Sequence, residues 1–222
     1  DENNIECWQP EHPRDIVEKL SERNDDLFIV ASYGYIVSQK ILDIPKHGVL
    51  NVHTSLLPKY RGASPIESAI LHGDAETGST IMKMELKMDY GPIISQTRFP
   101  LEHDITKPEL FTLLAHDGGK LLAETIEPWV TGAITAQEQN HDLATYCGKL
   151  QKSDADLTND DNITRDRKYR AYYGWPGSFI MDDGLRLKIT KARFEDNIFT
   201  IERIIPAGKK EMDYDVYLNN KK

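Results

Sequence analysis

Gly48-Val49-Leu50-Asn51-Val52-His53 runs directly into Thr54-Ser55-Leu56-Leu57-Pro58-Lys59-Tyr60-Arg61-Gly62-Ala63-Ser64-Pro65. The first six residues have the length and apolar content of a buried strand. Side chains two positions apart on a strand leave by the same face. Asn51 and His53 therefore share a face, and Val52 points the other way into the sheet. A carboxamide and an imidazole at the end of an apolar strand mark the edge where open α/β sheets hold their chemistry. The Leu-Leu-Pro loop reverses the chain beside that pair.

Outward from this strand, strand and helix signals alternate. Upstream, residues 12–23 predict a short amphipathic helix with Ile16, Val17 and Leu20 on one face. Leu27-Phe28-Ile29-Val30-Ala31 predicts a strand buried on both sides, Tyr33-Gly34-Tyr35 a loop, and 36–42 a brief helix ended near Pro45. Downstream, Ser64-Pro65-Ile66-Glu67 has the pattern of a capped helix start, and Gly73 closes that helix. Thr80 to Leu86 and Ile93 to Phe99 predict strands joined by the turn Met88-Asp89-Tyr90-Gly91-Pro92. Thr106-Lys107-Pro108-Glu109 opens a long helix to about Trp129, with Leu110, Leu113, Leu114, Leu121, Leu122 and Ile126 inward. The expected fold class is α/β, a partial doubly wound, Rossmann-like and mainly parallel sheet.

After Gly132 the character changes. Residues 136–160 are polar and short of apolar periodicity, which suits a linker. A helix at about 161–173 precedes Trp175-Pro176-Gly177 and short β runs at 178–181, 185–193, 197–205 and 214–218. Asp182-Asp183-Gly184 and Glu195-Asp196-Asn197 are hairpin signals. The domains expected are therefore 1–135 (α/β), 136–150 (linker) and 151–222, a small C-terminal antiparallel β-barrel of OB-like type.

Composition excludes several classes. The 222 residues are 39% hydrophobic and 28% charged, enough for a packed core. No apolar run is long enough to span a membrane, and the acidic start Asp1-Glu2-Asn3-Asn4 is unlike a signal peptide. Without Met at its first position, the chain reads as starting inside a domain. Cys7 and Cys147 have neither metal nor disulfide spacing, which favours a reducing cytoplasmic setting. The net charge of −9 argues against broad nucleic-acid binding. Local basic patches at Lys209-Lys210 and Arg165 to Arg170 remain candidates. No dinucleotide or Walker glycine pattern is present.

Asn51-Val52-His53-Thr54-Ser55-Leu56-Leu57-Pro58 with Arg61-Gly62 resembles the signature of the 10-formyltetrahydrofolate-dependent formyltransferase family. Ser32-Tyr33-Gly34-Tyr35-Ile36, Gly73-Asp74-Ala75-Glu76-Thr77-Gly78 with Thr80-Ile81-Met82, and Asp89 before Gly91 resemble further family motifs. Tyr146 to Ala155 is similar to the family linker. Trp175-Pro176-Gly177, Leu187-Lys188-Ile189 and Gly208-Lys209-Lys210 resemble the second domain of the members acting on methionyl-tRNA. The resemblance covers essentially the whole chain but leaves out the family's first βα units. It departs at Lys87, Tyr90, Pro92, Asp156 and Thr158.

The resemblance implies formyl transfer from 10-formyltetrahydrofolate to the amino group of methionyl-tRNA, with Asn51, His53 and Asp89 catalytic and no metal. It implies that Tyr33, Gly34, Tyr35, Ile36, Ser55, Leu56, Leu57 and Pro58 line the folate pocket. A monomer in the cytoplasm or the mitochondrial matrix, away from membranes, is expected. The same chemistry on a nucleotide-linked amino sugar, a hydrolase releasing formate, and a folate-binding relative without turnover stand as alternatives. Read alone, each motif has a plainer meaning. Asn-x-His can be satisfied strand polarity, Asp89 a turn residue, and Arg61 a surface or helix-capping charge. His47, His72, His103, His116 and His141 read as surface or core imidazoles.

Overall fold

The computed structural model describes residues 5–221; the acidic opening, Asp1-Glu2-Asn3-Asn4, lies outside the described residues. Two compact units form. One holds the residues up to Arg61, Ser79–Thr97 and Asp117–Thr145; the other holds Gly62–Gly78, Arg98–His116 and the residues from Tyr146 onward.

In the first unit, a 3-10 turn (Pro13–Ile16) leads into α1 (Val17–Glu22). Strand β1 (Phe28–Ala31), α2 (Gln39–Leu42) and β2 (Val49–His53) follow. The sheet is completed by β3 (Thr80–Lys83) and β4 (Ile93–Gln96), in the spatial order β1-β2-β3-β4. The expected parallel pairing holds for β1 with β2, where Val30 lies opposite Asn51. After His53 the sheet turns antiparallel. His53 pairs with Thr80, and β3 pairs antiparallel with β4. The connection over 84–92 is shorter than the crossover a parallel β3–β4 pair would need.

Strand β2 is covered on both faces. Val49 packs with Val37, Ile41 and Leu42. Leu50 packs with Ile81 and Leu121, joined by Val52 and Trp129. The latter cluster is reached by the far half of α4 (Lys107–Val130). A Cβ on Gly118 would sit 2.7 Å from a methyl of Val52, so only glycine lets this helix approach so closely. Val52 thus points away from the face shared by Asn51 and His53, as strand parity requires.

In the second unit, α3 (Pro65–His72) ends on Gly73 at φ +63°. Ser64 does not cap it. Its hydroxyl donates instead to the Gly148 carbonyl at 2.7 Å. Ile66 and Ile70 form a core with Leu110, Leu114, Tyr172 and Phe179. Leu113, expected inward, is exposed, because the helix positions facing this core are 110 and 114, four apart.

Helix α5 (Asn162–Ala171) is capped by Asp161, which accepts from the Thr164 N–H at 2.8 Å. It precedes β5 (Phe179–Asp182), β6 (Leu185–Glu195), β7 (Ile198–Pro206) and β8 (Met212–Asp213). All three pairings in this sheet are antiparallel, in the order β8-β7-β6-β5. Among the described residues β5 and β8 do not pair, so no closed barrel forms. The expected strand at 214–218 is instead α6 (Tyr214–Asn219). Tyr214, Tyr217 and Leu218 recur at helical spacing, and both tyrosines pack on the sheet core. The expected basic patch at Arg165 to Arg170 is largely consumed internally. Arg165 donates to the Leu157 and Thr158 carbonyls, Lys168 pairs with Asp160, and Arg170 with Asp166.

Candidate active site

All of the sequence-predicted site residues fall in the first unit. Because β1 and β2 run parallel, with Ala31 beside Val52, the loops after them leave the same end of the sheet. These are the loop carrying Tyr33, Gly34, Tyr35 and Ile36 and the loop carrying Ser55, Leu56, Leu57 and Pro58. The first loop is exposed, with Ile36 81% accessible. The second is largely buried and tied down from below. Thr80, fully buried under it, donates to the Ser55 carbonyl at 2.6 Å and accepts from the Leu57 N–H at 3.3 Å. Gln96 donates to both Thr80 Oγ1 and the Leu57 carbonyl. Ser55 Oγ closes the loop on the Lys59 carbonyl at 2.6 Å.

His53 is 5% exposed. Its Nε2 lies 2.9 Å from the Tyr60 carbonyl, which can only accept, so Nε2 carries the hydrogen. The unprotonated nitrogen of neutral His53 is therefore Nδ1. It faces Asp89 Oδ1 at 3.8 Å. Burial pushes the His53 pKa below its ordinary value; the Asp89 charge and the Tyr60 carbonyl pull it back up without reversing the shift. Tyr60 reaches His53 because its own backbone has φ +58°. That conformation is held by its N–H, which donates to Thr145 Oγ1 at 2.8 Å, and by Thr145 N–H on the Pro58 carbonyl.

Asn51 is half-buried, one strand step from His53 on the same face. Among the described residues its carboxamide has no hydrogen-bond partner. Asp89 sits in a turn at φ +52°, a conformation Asp tolerates. Gly91, two residues on, is needed there, since a Cβ would fall 1.9 Å from the Lys83 carbonyl oxygen. A depression of about 740 Å³ borders this turn, lined by Leu42, Lys83, Glu85, Leu86, Lys87 and Tyr90 among others.

Arg61 is the main correction to the sequence reading. It is not a surface charge but 1% exposed. Its Nε and Nη2 donate to Gln139 Oε1 at 3.1 and 2.6 Å, and Nη2 lies 2.9 Å from His141 Nδ1. Its guanidinium also lies over the Tyr90 ring at 4.8 Å. Sequence reasoning missed Thr80, Gln96, Gln139 and the Tyr60 carbonyl. Only the alternation Thr80-Ile81-Met82 hinted that Thr80 points inward beside His53.

Together the residues offer an amide donor, a buried neutral imidazole with its basic nitrogen turned toward a carboxylate, and a rigid loop beside both. That set suits acyl transfer to a nucleophile that must lose a proton. Residues 3–126, more than half of the chain, match the Formyl transferase family. The chain belongs to that family.

It is 37% identical over 201 residues to a methionyl-tRNA formyltransferase of Legionella pneumophila (strain Corby), covering 89% of this chain and 64% of that protein. It is 38% identical to the methionyl-tRNA formyltransferase of Roseiflexus castenholzii, covering 91% of this chain and 74% of that one. The chain thus spans less than two thirds of the Legionella relative's length. Its fold is similar to that of methionyl-tRNA formyltransferase from Clostridium thermocellum (TM-score 0.67, 18% identity, 91% of this chain and 85% of that chain). It is also similar to HypX from Aquifex aeolicus in complex with tetrahydrofolic acid (TM-score 0.73, 18% identity, 94% and 41%).

Proposed function

We propose that this chain is part of an enzyme that transfers a formyl group from 10-formyltetrahydrofolate to the amino group of methionyl-tRNA. The observation that carries the reading is the buried His53–Asp89 pair, with Nδ1 and not Nε2 as the basic atom. The names of the relatives supply the acceptor.

In this mechanism the neutral amine attacks the formyl carbon. A C–N bond forms, and the carbonyl electron pair moves onto oxygen. The Asn51 carboxamide donates to that oxyanion; one such donor is typically worth about 3 kcal/mol in the transition state. The amine proton passes to His53 Nδ1, and Asp89 stabilises the imidazolium that results. The electron pair on the oxyanion then re-forms the carbonyl and the bond to N10 breaks; N10 takes the proton held on His53 and leaves as tetrahydrofolate, which restores the neutral imidazole. The loop carrying Tyr33, Gly34, Tyr35 and Ile36 and the loop carrying Ser55, Leu56, Leu57 and Pro58 hold the folate between them.

The division of labour follows the sequence. Residues within 1–135 carry the chemistry, 136–150 connect, with Gln139 and His141 bracing the Asp89 turn, and 151–222, with the antiparallel sheet β5–β8, make acceptor contacts. Lys209 and Lys210, exposed in the turn after β7, are candidates for the phosphate backbone. The protein acts as a cytoplasmic monomer.

The test is to supply 10-formyltetrahydrofolate with either methionyl-tRNA or a nucleotide-linked amino sugar and measure formyl incorporation. Transfer to methionyl-tRNA is expected. Transfer to the sugar alone, or release of formate without transfer, overturns the proposal.

A further inference from the structure

We propose that Gln139, seated by Arg61, is a positioning residue that fixes the Asp89 carboxylate opposite His53. Its carboxamide can face only one way. The Oε1 end accepts two N–H groups of the buried guanidinium. The Nε2 end donates to the Asp89 carbonyl at 2.9 Å and the Gly91 carbonyl at 2.7 Å. Both of its hydrogens thus hold the backbone on either side of Tyr90, and Gln139 itself is only 5% exposed.

The same guanidinium orients a second brace. Its contact to His141 places that ring flat on Tyr90, with centroids 3.8 Å apart and planes 14° apart. Residue 139 is in turn fixed by its neighbour. Gln137 and Ile93 exchange backbone hydrogen bonds at 2.8 and 2.7 Å. The Asp89 turn is therefore gripped at Asp89 O, Gly91 O and the Tyr90 ring. None of these grips uses the carboxylate oxygen that faces His53. At 3.8 Å from Nδ1, a displacement of about 1 Å decides whether the carboxylate can meet a proton arriving there.

The functional consequence rests on the proposed formyl transfer, but the placement can be read without activity. The charged group facing His53 is Asp89, and the Tyr60 carbonyl faces its other nitrogen. Nitrogen-15 NMR of the imidazole can follow His53 through pH in the wild-type chain, in Gln139→Leu, in Gln139→Glu and in Asp89→Asn. Gln139→Glu still offers oxygen to Arg61 but turns a second oxygen, not a donor, toward the two carbonyls. If the amide donors position Asp89, both Gln139 variants move the His53 midpoint down, in the same direction as Asp89→Asn. In the whole enzyme, kcat falls about tenfold or more while KM for the formyl donor changes less than about threefold.

Variants that melt lower yet keep the wild-type His53 midpoint would mean a purely structural role and overturn the inference. So would a defect in Gln139→Leu that Gln139→Glu lacks. If both variants fail to fold, the wild-type chain decides the matter. The Gln139 side-chain hydrogens must then exchange far more slowly than those of exposed Gln and Asn, and rapid exchange overturns the inference. Absence of formyl transfer in the wild-type enzyme counts against the proposed function and leaves the NMR result to stand or fall on its own.

Discussion

The two units treat buried charge differently. In the second, charges come as neighbouring opposites. Arg170 and Asp166 lie 2.8 Å apart on one face of α5, and Lys107 meets Glu67 at the same distance. In the first, the buried guanidinium of Arg61 reaches an amide, an imidazole and an aromatic face, and the amide reaches the backbone of the Asp89 turn. A close ion pair satisfies its own two members. A chain running from guanidinium to amide to carbonyl carries placement to a third party, here the backbone of the turn that bears Asp89. Buried ion pairs need not add stability over apolar packing; the buried charge of the first unit instead holds the Asp89 turn through Gln139.

The largest expected effects break the contrast most directly. His53→Ala and Asn51→Ala should each lower kcat by about 10²- to 10⁴-fold with much smaller changes in folate affinity, since in the proposed mechanism they act on charge that develops in the transition state. Steady-state kinetics at saturating donor and acceptor check this. Near-normal turnover in either variant would place the chemistry elsewhere.

On the other side of the comparison, Arg170→Ala strands Asp166 and should cost about 3–5 kcal/mol in denaturant unfolding. It should leave the His53 midpoint where it was. Replacing both members by apolar residues of similar size should restore most of the loss. A shifted His53 midpoint in Arg170→Ala would erase the distinction between the two kinds of buried charge.

Smaller is Thr80→Val, which keeps the shape but leaves the Leu57 N–H, and the Gln96 amide hydrogen now given to Thr80, without their acceptor. A loss of about 1–3 kcal/mol is expected. Activity should fall as well, because the loop beside His53 loosens.

The smallest effects are in pH, with opposite signs in the two units. The folded-state pKa of His53 lies below its unfolded value of about 6.5, so the unfolded chain binds more protons in acid. Its contribution to stability is present above about pH 6.5 and is lost as pH falls from there toward the folded value. His53→Gln should flatten that part of the curve. Tyr172, buried in the second unit near Asp154, Glu67 and Asp160, has its phenol pushed up to about 12, chiefly by burial. Its contribution is present below about pH 10 and is lost as pH rises from 10 toward 12. Tyr172→Phe should remove that alkaline loss. Unfolding curves across pH for the two variants separate the signs.

How much of this was legible depended on whether a residue's role is local. The strand Gly48 to His53 declares its own face pattern, and the turn around Asp89 is declared by Gly91 and Pro92. Both were readable because parity and turn chemistry act within a few residues. Gln139 was not, because its partners lie 48, 50 and 78 positions away. Its surroundings in sequence are polar enough to read as a linker. Arg61 hid for the same reason. A charge after a loop reads as surface until tertiary contacts bury it. The run 214–219 reads as a strand because six residues with two tyrosines and a valine fit either period, and only packing against β7 and β8 chooses the helix.

The most direct test is the pH dependence of kcat in the wild-type enzyme and in Asp89→Asn. If His53 Nδ1 accepts the amine proton beside Asp89, activity falls in acid through a midpoint below about 6.5. In Asp89→Asn the attraction that props up His53 is gone, so the midpoint moves lower still and the plateau drops steeply. An acid limb at the same pH in both proteins, or a plateau unchanged by the substitution, would contradict the pairing on which the account rests.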